Sequence, residues 1–204
     1  MSYISQNLTF TSNAISVSSS ASDLNQTYMD WEDQILSASS AYVTQNGGDI
    51  LEIGFGMGIS AGYIQSHSID SHTIVENHPE IISRAQAWAS NKTNVNIVTG
   101  SWYNVLYFPN RSKDGKNWYS TTNSNLKKYD GLFYNSYGDQ HLQKFSSSLC
   151  SLVKTGGVAT WWNSMTGSNN YYNIPDVTYN IMDVDPPENT YFNHKKYYLP
   201  KKEI

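Results

Sequence analysis

Short apolar runs recur along the chain, each followed by a stretch whose apolar residues return every three or four positions. Residues 50–54 (Ile-Leu-Glu-Ile-Gly) form a run suited to a buried strand, and the pattern turns helical from Ile59 to about Gln65. Residues 72–76 predict a second strand. A helix is predicted over residues 79–89, with Ile81, Ile82, Ala85 and Trp88 on one side and Pro79 in its first turn, where a missing N–H is harmless. Residues 95–99, 129–134 and 157–162 read as three more strands, with a helix over 140–153. Upstream, residues 31–43 predict a helix with Ile35, Ala38 and Tyr42 on one face, stopped by Asn46-Gly47-Gly48. Strands alternating with helices imply right-handed crossovers and a parallel sheet covered on both faces. The pattern then changes. Residues 177–184 and 194–199 look like strands separated only by the turn-rich Asp185-Pro-Pro-Glu-Asn189, which makes an antiparallel hairpin. The expected fold is α/β, doubly wound and Rossmann-like, with a mostly parallel seven-stranded sheet closed by that C-terminal hairpin.

Two stretches escape the alternation. Residues 1–27 are Ser, Asn and Thr with few apolar anchors and predict a flexible arm or lid, leaving residues 28–204 as the folded domain. Residues 107–128 hold Pro, Gly, Asn and Ser and predict a long loop.

The length of 204 residues suits one domain with a short appendage. No apolar run approaches the ~20 residues needed to cross a bilayer. The formal charge is −4 and the basic residues are scattered pairs, so the concentrated stripe that tracks phosphates is missing and nucleic acid is not an expected partner. Residues 1–20 carry no positive charge and no continuous apolar stretch, unlike a signal peptide. The single cysteine, Cys150, excludes an internal disulfide and fits a reducing, cytoplasmic setting; its apolar surroundings predict a buried thiol. His67, His72, His78, His141 and His194 lack metal-site spacing, and no metal is expected.

The chemistry concentrates in Glu52-Ile-Gly54-Phe-Gly56-Met-Gly58. Glycines directly after a buried strand let the backbone approach a ligand, and the next helix turns its free N–H groups toward that ligand's anionic end. Glu76 ends the next strand, where a carboxylate can accept ribose hydroxyls. Gly100-Ser101-Trp102 ends the third strand, with Trp102 able to lie against an adenine ring. These features indicate a nucleoside-containing cofactor. They do not separate NAD from S-adenosylmethionine (SAM), because Gly56-x-Gly58-x-x-Ala61 also satisfies the dinucleotide fingerprint.

Residues 50–64 (ILEIGFGMGISAGYI), followed by Thr73-Ile-Val-Glu-Asn-His-Pro79, resemble the guanidinoacetate N-methyltransferase group, which includes fungal-type protein arginine N-methyltransferases. Met29-Asp-Trp-Glu32 looks like the group's M-x-W-E, Gly100-Ser-Trp102 its G-x-W, and Tyr129-Asp-Gly-Leu-Phe-Tyr134 its fourth strand. Gly156-Gly157-Val158, Val184-Asp-Pro-Pro187 and Tyr197-Tyr198 with Pro200 continue the similarity to about residue 200. The resemblance implies a class I methyltransferase that uses SAM. By it, Gly54, Gly56 and Gly58 line the methionine end, Glu76 holds the ribose, Trp102 and its neighbours meet the adenine, and Met29 closes over the cofactor. The implied cofactor-binding set is Met29, Glu52, Gly54, Phe55, Gly56, Gly58, Glu76, Asn77, Ser101, Trp102 and Tyr134. The M-x-W-E glutamate binds the substrate guanidinium in this group, which puts Glu32 at the acceptor.

The pattern breaks in two places. The group has an Asp directly after the fourth-strand Tyr, where this chain has Asn135. An amide accepts a hydrogen bond but neither neutralises a cation nor takes a proton. Glu32 and Asp139 are the candidate replacements, so Glu32, Asn135 and Asp139 form the expected catalytic set. Residues 163–176 are also too few, and too rich in Asn, Ser and Gly, for the group's long helix there. The leading expectation is a SAM-dependent N-methyltransferase for a small amine or guanidino compound. The alternatives are a SAM-binding regulator or scaffold with little transferase activity and, more remotely, an NAD-dependent oxidoreductase.

Overall fold

The computed structural model describes residues 3–17, 26–107, 127–136, 141–163, 172–187 and 192–204. Near the N-terminus, β1 (Leu8–Phe10), β2 (Ala14–Val17) and β3 (Gln26–Met29) form a small antiparallel sheet. A 3-10 turn (Asp30–Glu32) leads into α1 (Asp33–Val43). Then β4 (Asp49–Ile53), α2 (Ile59–Gln65), β5 (Ser71–Glu76), α3 (Pro79–Ala89), β6 (Val95–Thr99) and α4 (Trp102–Tyr107) follow in order. The remaining elements are β7 (Tyr129–Tyr134), α5 (Phe145–Leu152), β8 (Val153–Trp161), β9 (Thr178–Asp183) and β10 (Lys196–Glu203).

The main sheet has seven strands in the order β6-β5-β4-β7-β8-β10-β9. The pairs β6–β5, β5–β4, β4–β7 and β7–β8 are parallel, whereas β10 runs antiparallel to both β8 and β9. This is the doubly wound sheet with a C-terminal hairpin that the sequence pattern predicts. The chain begins at β4, works outward to β6, then returns to the other side at β7. That reversal opens a crevice at the carboxyl ends of β4 and β7, the place where such sheets bind ligands.

Pleat alternation sorts the core. Leu51 and Ile53 face Trp102, Phe145, Leu149 and Leu152, while Ile50 faces Leu36, Val43 and Ile64 on the opposite side. Each fully buried Leu, Ile or Phe contributes roughly 1.5–3 kcal/mol. Gly131 lies where β7 passes beneath α1, and a Cβ there would sit 1.9 Å from the Val43 carbonyl oxygen. Gly131→Ala is therefore expected to cost about 1–3 kcal/mol and to lower the thermal unfolding midpoint by several degrees. An unchanged melting curve would mean that the strand–helix contact is looser than it stands.

Three features depart from the sequence expectation. Residues 1–27 predict an arm with few apolar anchors, but its described part carries Leu8, Ile15 and Val17, all buried in a cluster with Phe55, Ile74 and Ile81. The alternation in Leu8–Phe10 and Ala14–Val17 is too short to stand out among the polar residues. The short α4 lies where only a strand end and loop are expected. Cys150 is exposed, not buried. The 3.6-residue repeat of α5 turns Phe145, Ser148, Leu149 and Leu152 inward, leaving Cys150 on the outer face. Most of the predicted 107–128 loop, and of the 163–176 connection, lies outside the described residues. Among the described residues, no helix is long and apolar enough to cross a membrane.

Candidate functional site

The crevice at the switch point is lined by Gly54, Glu76, Asn77, Gly100, Trp102 and Ser136, among others. Its floor is the glycine turn. Gly54 has φ +94°, donates its N–H to the Val75 carbonyl at 2.9 Å, and leaves no room for a side chain: a Cβ would meet the Asn135 carbonyl oxygen at 2.0 Å. Gly58, also left-handed, caps α2. Only glycine combines this backbone with such close approach. The side chains within the turn diverge. The Phe55 ring turns toward Trp88, 5.5 Å away on α3, so Phe55 offers the crevice only its backbone.

Glu76 organises the rim. Its Oε2 accepts the Phe55 N–H at 2.9 Å, and its Oε1 accepts the N–H groups of Asn77 and His78 at 2.7 and 2.9 Å. The carboxylate is 5% exposed and ties the glycine turn to the start of α3. A carboxylate has about four acceptor sites, so Oε2, with one bond of its own, retains capacity for a ligand hydroxyl.

At the β6 end, Gly100 donates its N–H to the Glu76 carbonyl at 2.8 Å, and Ser101 Oγ is buried without a hydrogen-bond partner among the described residues. A buried hydroxyl rarely stays unpaired. Trp102 lines the crevice but is 2% exposed, its ring packed edge-on against Tyr134 at 6.0 Å. Tyr134 stacks on Phe145 at 4.3 Å, so its ring belongs to the core beneath the site.

Glu52 lies elsewhere. The pleat turns its side chain under α2, where Oε1 accepts the Ser60 hydroxyl and Oε2 approaches His72 Nε2 at 3.0 Å, both residues fully buried. Glu52 thereby fastens β4 to β5 and to the first turn of α2. It supports the glycine turn from behind.

On the other flank of Asn135 lies a second constellation. Asn135 is 7% exposed and donates its backbone N–H to the Ile53 carbonyl at 2.8 Å. The neighbouring Tyr134 carbonyl accepts the Trp162 N–H at 3.0 Å, which brings the end of β8 alongside. Asn163 follows. Its backbone N–H donates to the Tyr197 hydroxyl at 2.8 Å and its Nδ2 to the Tyr198 carbonyl at 2.8 Å. Burial, above all, pushes the Tyr197 hydroxyl far above the usual tyrosine range; the Asn163 N–H opposes this and the Glu32 charge adds to it. Glu32 therefore lies within electrostatic reach of Tyr197, and it is itself 2% exposed. Trp31 stacks on Phe192 at 5.8 Å, with Trp162 edge-on to Trp31 at 6.2 Å, framing this corner in aromatic rings.

Tyr197 and Asn163 were not legible as site residues. Tyr197 signals only a hairpin strand, and Asn163 follows a predicted strand with no motif around it. The available clue was that a hairpin returning beside β8 must place its inward residues next to that strand's carboxyl end. Met29 pairs with Ala14 in β3, but its side chain lies outside what the structure describes, as does Asp139.

A sequence model of the guanidinoacetate N-methyltransferase family matches residues 24–174. The chain belongs to that family. Its relatives include protein arginine N-methyltransferase 2 of Yarrowia lipolytica, 26% identical over 198 residues that cover 92% of this chain and 38% of that protein. The Aspergillus fumigatus protein of the same name is 28% identical over 189 residues, covering 90% of this chain and 40% of its own length. This member of the guanidinoacetate N-methyltransferase family thus spans about two-fifths of the curated relatives it matches. Among solved structures, the N-methyltransferase NodS from Bradyrhizobium japonicum superposes with a TM-score of 0.57 at 14% identity, over 84% of this chain and 94% of NodS. A spermidine synthase reaches 0.56 at 13% identity, over 97% of this chain and 71% of its own. Both show the fold. By family and fold the chain carries a guanidinoacetate N-methyltransferase family domain built on an α/β, Rossmann-like sheet.

Proposed function

We propose that this chain is a SAM-dependent N-methyltransferase acting on a small amine or guanidino compound. The observation that carries the proposal is the switch-point crevice lined by Gly54, Glu76 and Ser136, together with a second buried carboxylate, Glu32, within electrostatic reach of Tyr197. The residues around the crevice, and not its free volume of about 10 Å³, support this cofactor assignment. The glycine turn brings its backbone to the methionine end, Glu76 Oε2 takes a ribose hydroxyl, and Ser101 Oγ bonds the adenine. SAM supplies a sulfonium-activated methyl group with a good leaving group, so the chain's task is to align the acceptor nitrogen and manage its proton.

Glu32 serves that task. A free guanidinium stays protonated up to a pKa above ~12, so its nitrogen becomes nucleophilic only beside a group that attracts the cation and accepts its proton. Asn135 cannot accept the proton, but its side-chain oxygen can accept a hydrogen bond from the acceptor nitrogen. Among the described residues, Glu52 is bonded to Ser60 and His72, and Glu76 gathers three backbone N–H groups at the crevice rim. Glu32, 2% exposed in the M-x-W-E segment, is the carboxylate that this proposal assigns to the acceptor. The N-terminal strands, ending in Met29 just before Glu32, close the acceptor side against water in this proposal.

Calorimetric titration with SAM, S-adenosylhomocysteine (SAH) and NAD tests the cofactor. Micromolar binding of the first two and none of NAD is expected. Methyl transfer from labelled SAM to guanidinoacetate, L-arginine and simple amines then tests the reaction. Binding of NAD in place of SAM, or SAM binding without transfer to any amine or guanidine, would overturn the proposal at the corresponding step.

A further inference from the structure

The glycine turn has a second side. Away from the crevice, a groove of about 310 Å³ opens between the β1–β2 hairpin, the turn itself and α3. It is lined chiefly by Phe10, Ile15, Phe55, Met57, Arg84 and Trp88. Such a volume lies at the lower end of the range for small-molecule pockets, ~300–1,000 Å³.

The chemistry of the walls is specific. Phe55 and Trp88 stand 5.5 Å apart at 58°, giving an aromatic corner. Opposite, the Arg84 guanidinium lies 3.7 Å over the Phe10 ring. Lys92 Nζ sits 4.3 Å from the Trp88 ring centroid, adding a second cation at that end. Among the described residues, no acidic side chain lines the groove. Glu80, one turn before Arg84, has its Oε1 engaged by the Leu8 N–H at 3.0 Å. Aromatic walls with positive charge and, among the described residues, no lining carboxylate select a flat, anionic ligand, because stacking favours the ring and Arg84 pairs with a planar carboxylate.

All three walls also bear on the cofactor crevice. Phe55 donates to Glu76, α3 begins three residues after Glu76, and the hairpin is fastened to α3 through Glu80 and through a 3.0 Å contact between His78 Nε2 and the Gln6 carbonyl. We infer that this groove is a second ligand site, for a flat aromatic carboxylate, energetically coupled to the cofactor site. The binding half stands on the groove alone; the coupling half rests on SAM occupying the crevice as proposed above. Coupling of this kind is reciprocal. A carboxylate ligand that tightens SAH must itself be tightened by SAH to the same degree.

The test uses the full chain, with 2-naphthoate as the anionic probe and 2-naphthylmethylamine as its cationic counterpart, titrated by calorimetry with and without saturating SAH. Naphthoate is expected to bind in both conditions, at least about tenfold more tightly than the amine, and Arg84→Glu is expected to weaken it at least about tenfold. Arg84 is exposed, so a melting curve of the variant close to that of the parent confirms that the fold persists. The site is overturned if naphthoate fails to bind below millimolar concentration, if the amine binds equally well, if Arg84→Glu leaves the affinity unchanged, or if SAH displaces naphthoate competitively. Equal SAH affinity with and without naphthoate overturns the coupling. Naphthoate binding that depends on Arg84 in a protein that ignores SAH supports the groove and refutes the cofactor assignment instead.

Discussion

Glu32→Gln is expected to lower methyl transfer by roughly 10²–10⁴-fold, the range ascribed to a positioned acid or base, while SAH affinity stays within about twofold. The amide keeps the shape of the side chain and loses both its charge and its ability to take a proton. Glu32 is 2% exposed, so water does not readily substitute for the lost carboxylate. Asn135 cannot compensate, for the same chemical reason that it cannot serve as base. The measurement is initial rate with the best acceptor from the amine and guanidine screen, alongside an SAH titration of the same preparation. Transfer at the parental rate would show that another group handles the proton. Loss of both transfer and SAH binding would place Glu32 in the cofactor site.

Glu76→Gln is expected to weaken SAM and SAH binding by roughly 10²-fold and to destabilise the protein by about 2–4 kcal/mol, since hydrogen bonds to a buried charged group contribute more than neutral ones. Three backbone N–H groups, from Phe55, Asn77 and His78, converge on its two oxygens. Glutamine offers only one oxygen and turns an NH₂ group toward at least one of those donors. Donor then faces donor in a nearly dry site. The glycine turn and the start of α3 lose their common tie, and the crevice loses the acceptor site on Oε2. A thermal melt and an SAH titration report the two effects separately. A destabilised variant that binds SAH with parental affinity would confine Glu76 to a structural role and remove it from the ribose contact.

The different fates of the two motif glutamates show what local sequence conveys. Glu52 and Glu76 both border the glycine turn and both read as cofactor residues. The pleat separates them: Glu76 ends its strand at the crevice rim, whereas Glu52 sits one residue before the end of β4, on the face covered by α2. Strand direction is legible in a sequence, but which neighbour covers a given face is set by packing. Cys150 illustrates the same limit on α5, where an apolar stretch predicts burial and the helical repeat decides otherwise.

The sequence by itself determined the order and kind of most elements, the parallel sheet with its closing hairpin, the glycine turn and the placement of Glu76 and Asn135 at strand ends. These follow from periodicities of two and 3.6 residues and from glycines at positive φ, all properties of a few adjacent residues. Only the tertiary structure decided that Asn163 meets Tyr197, that Glu52 pairs with His72, and that the N-terminal hairpin seals against α3 to leave a cationic aromatic groove. Each of those is a contact between segments far apart in the chain. Its existence depends on how whole elements pack against one another, and no short window of sequence contains that information.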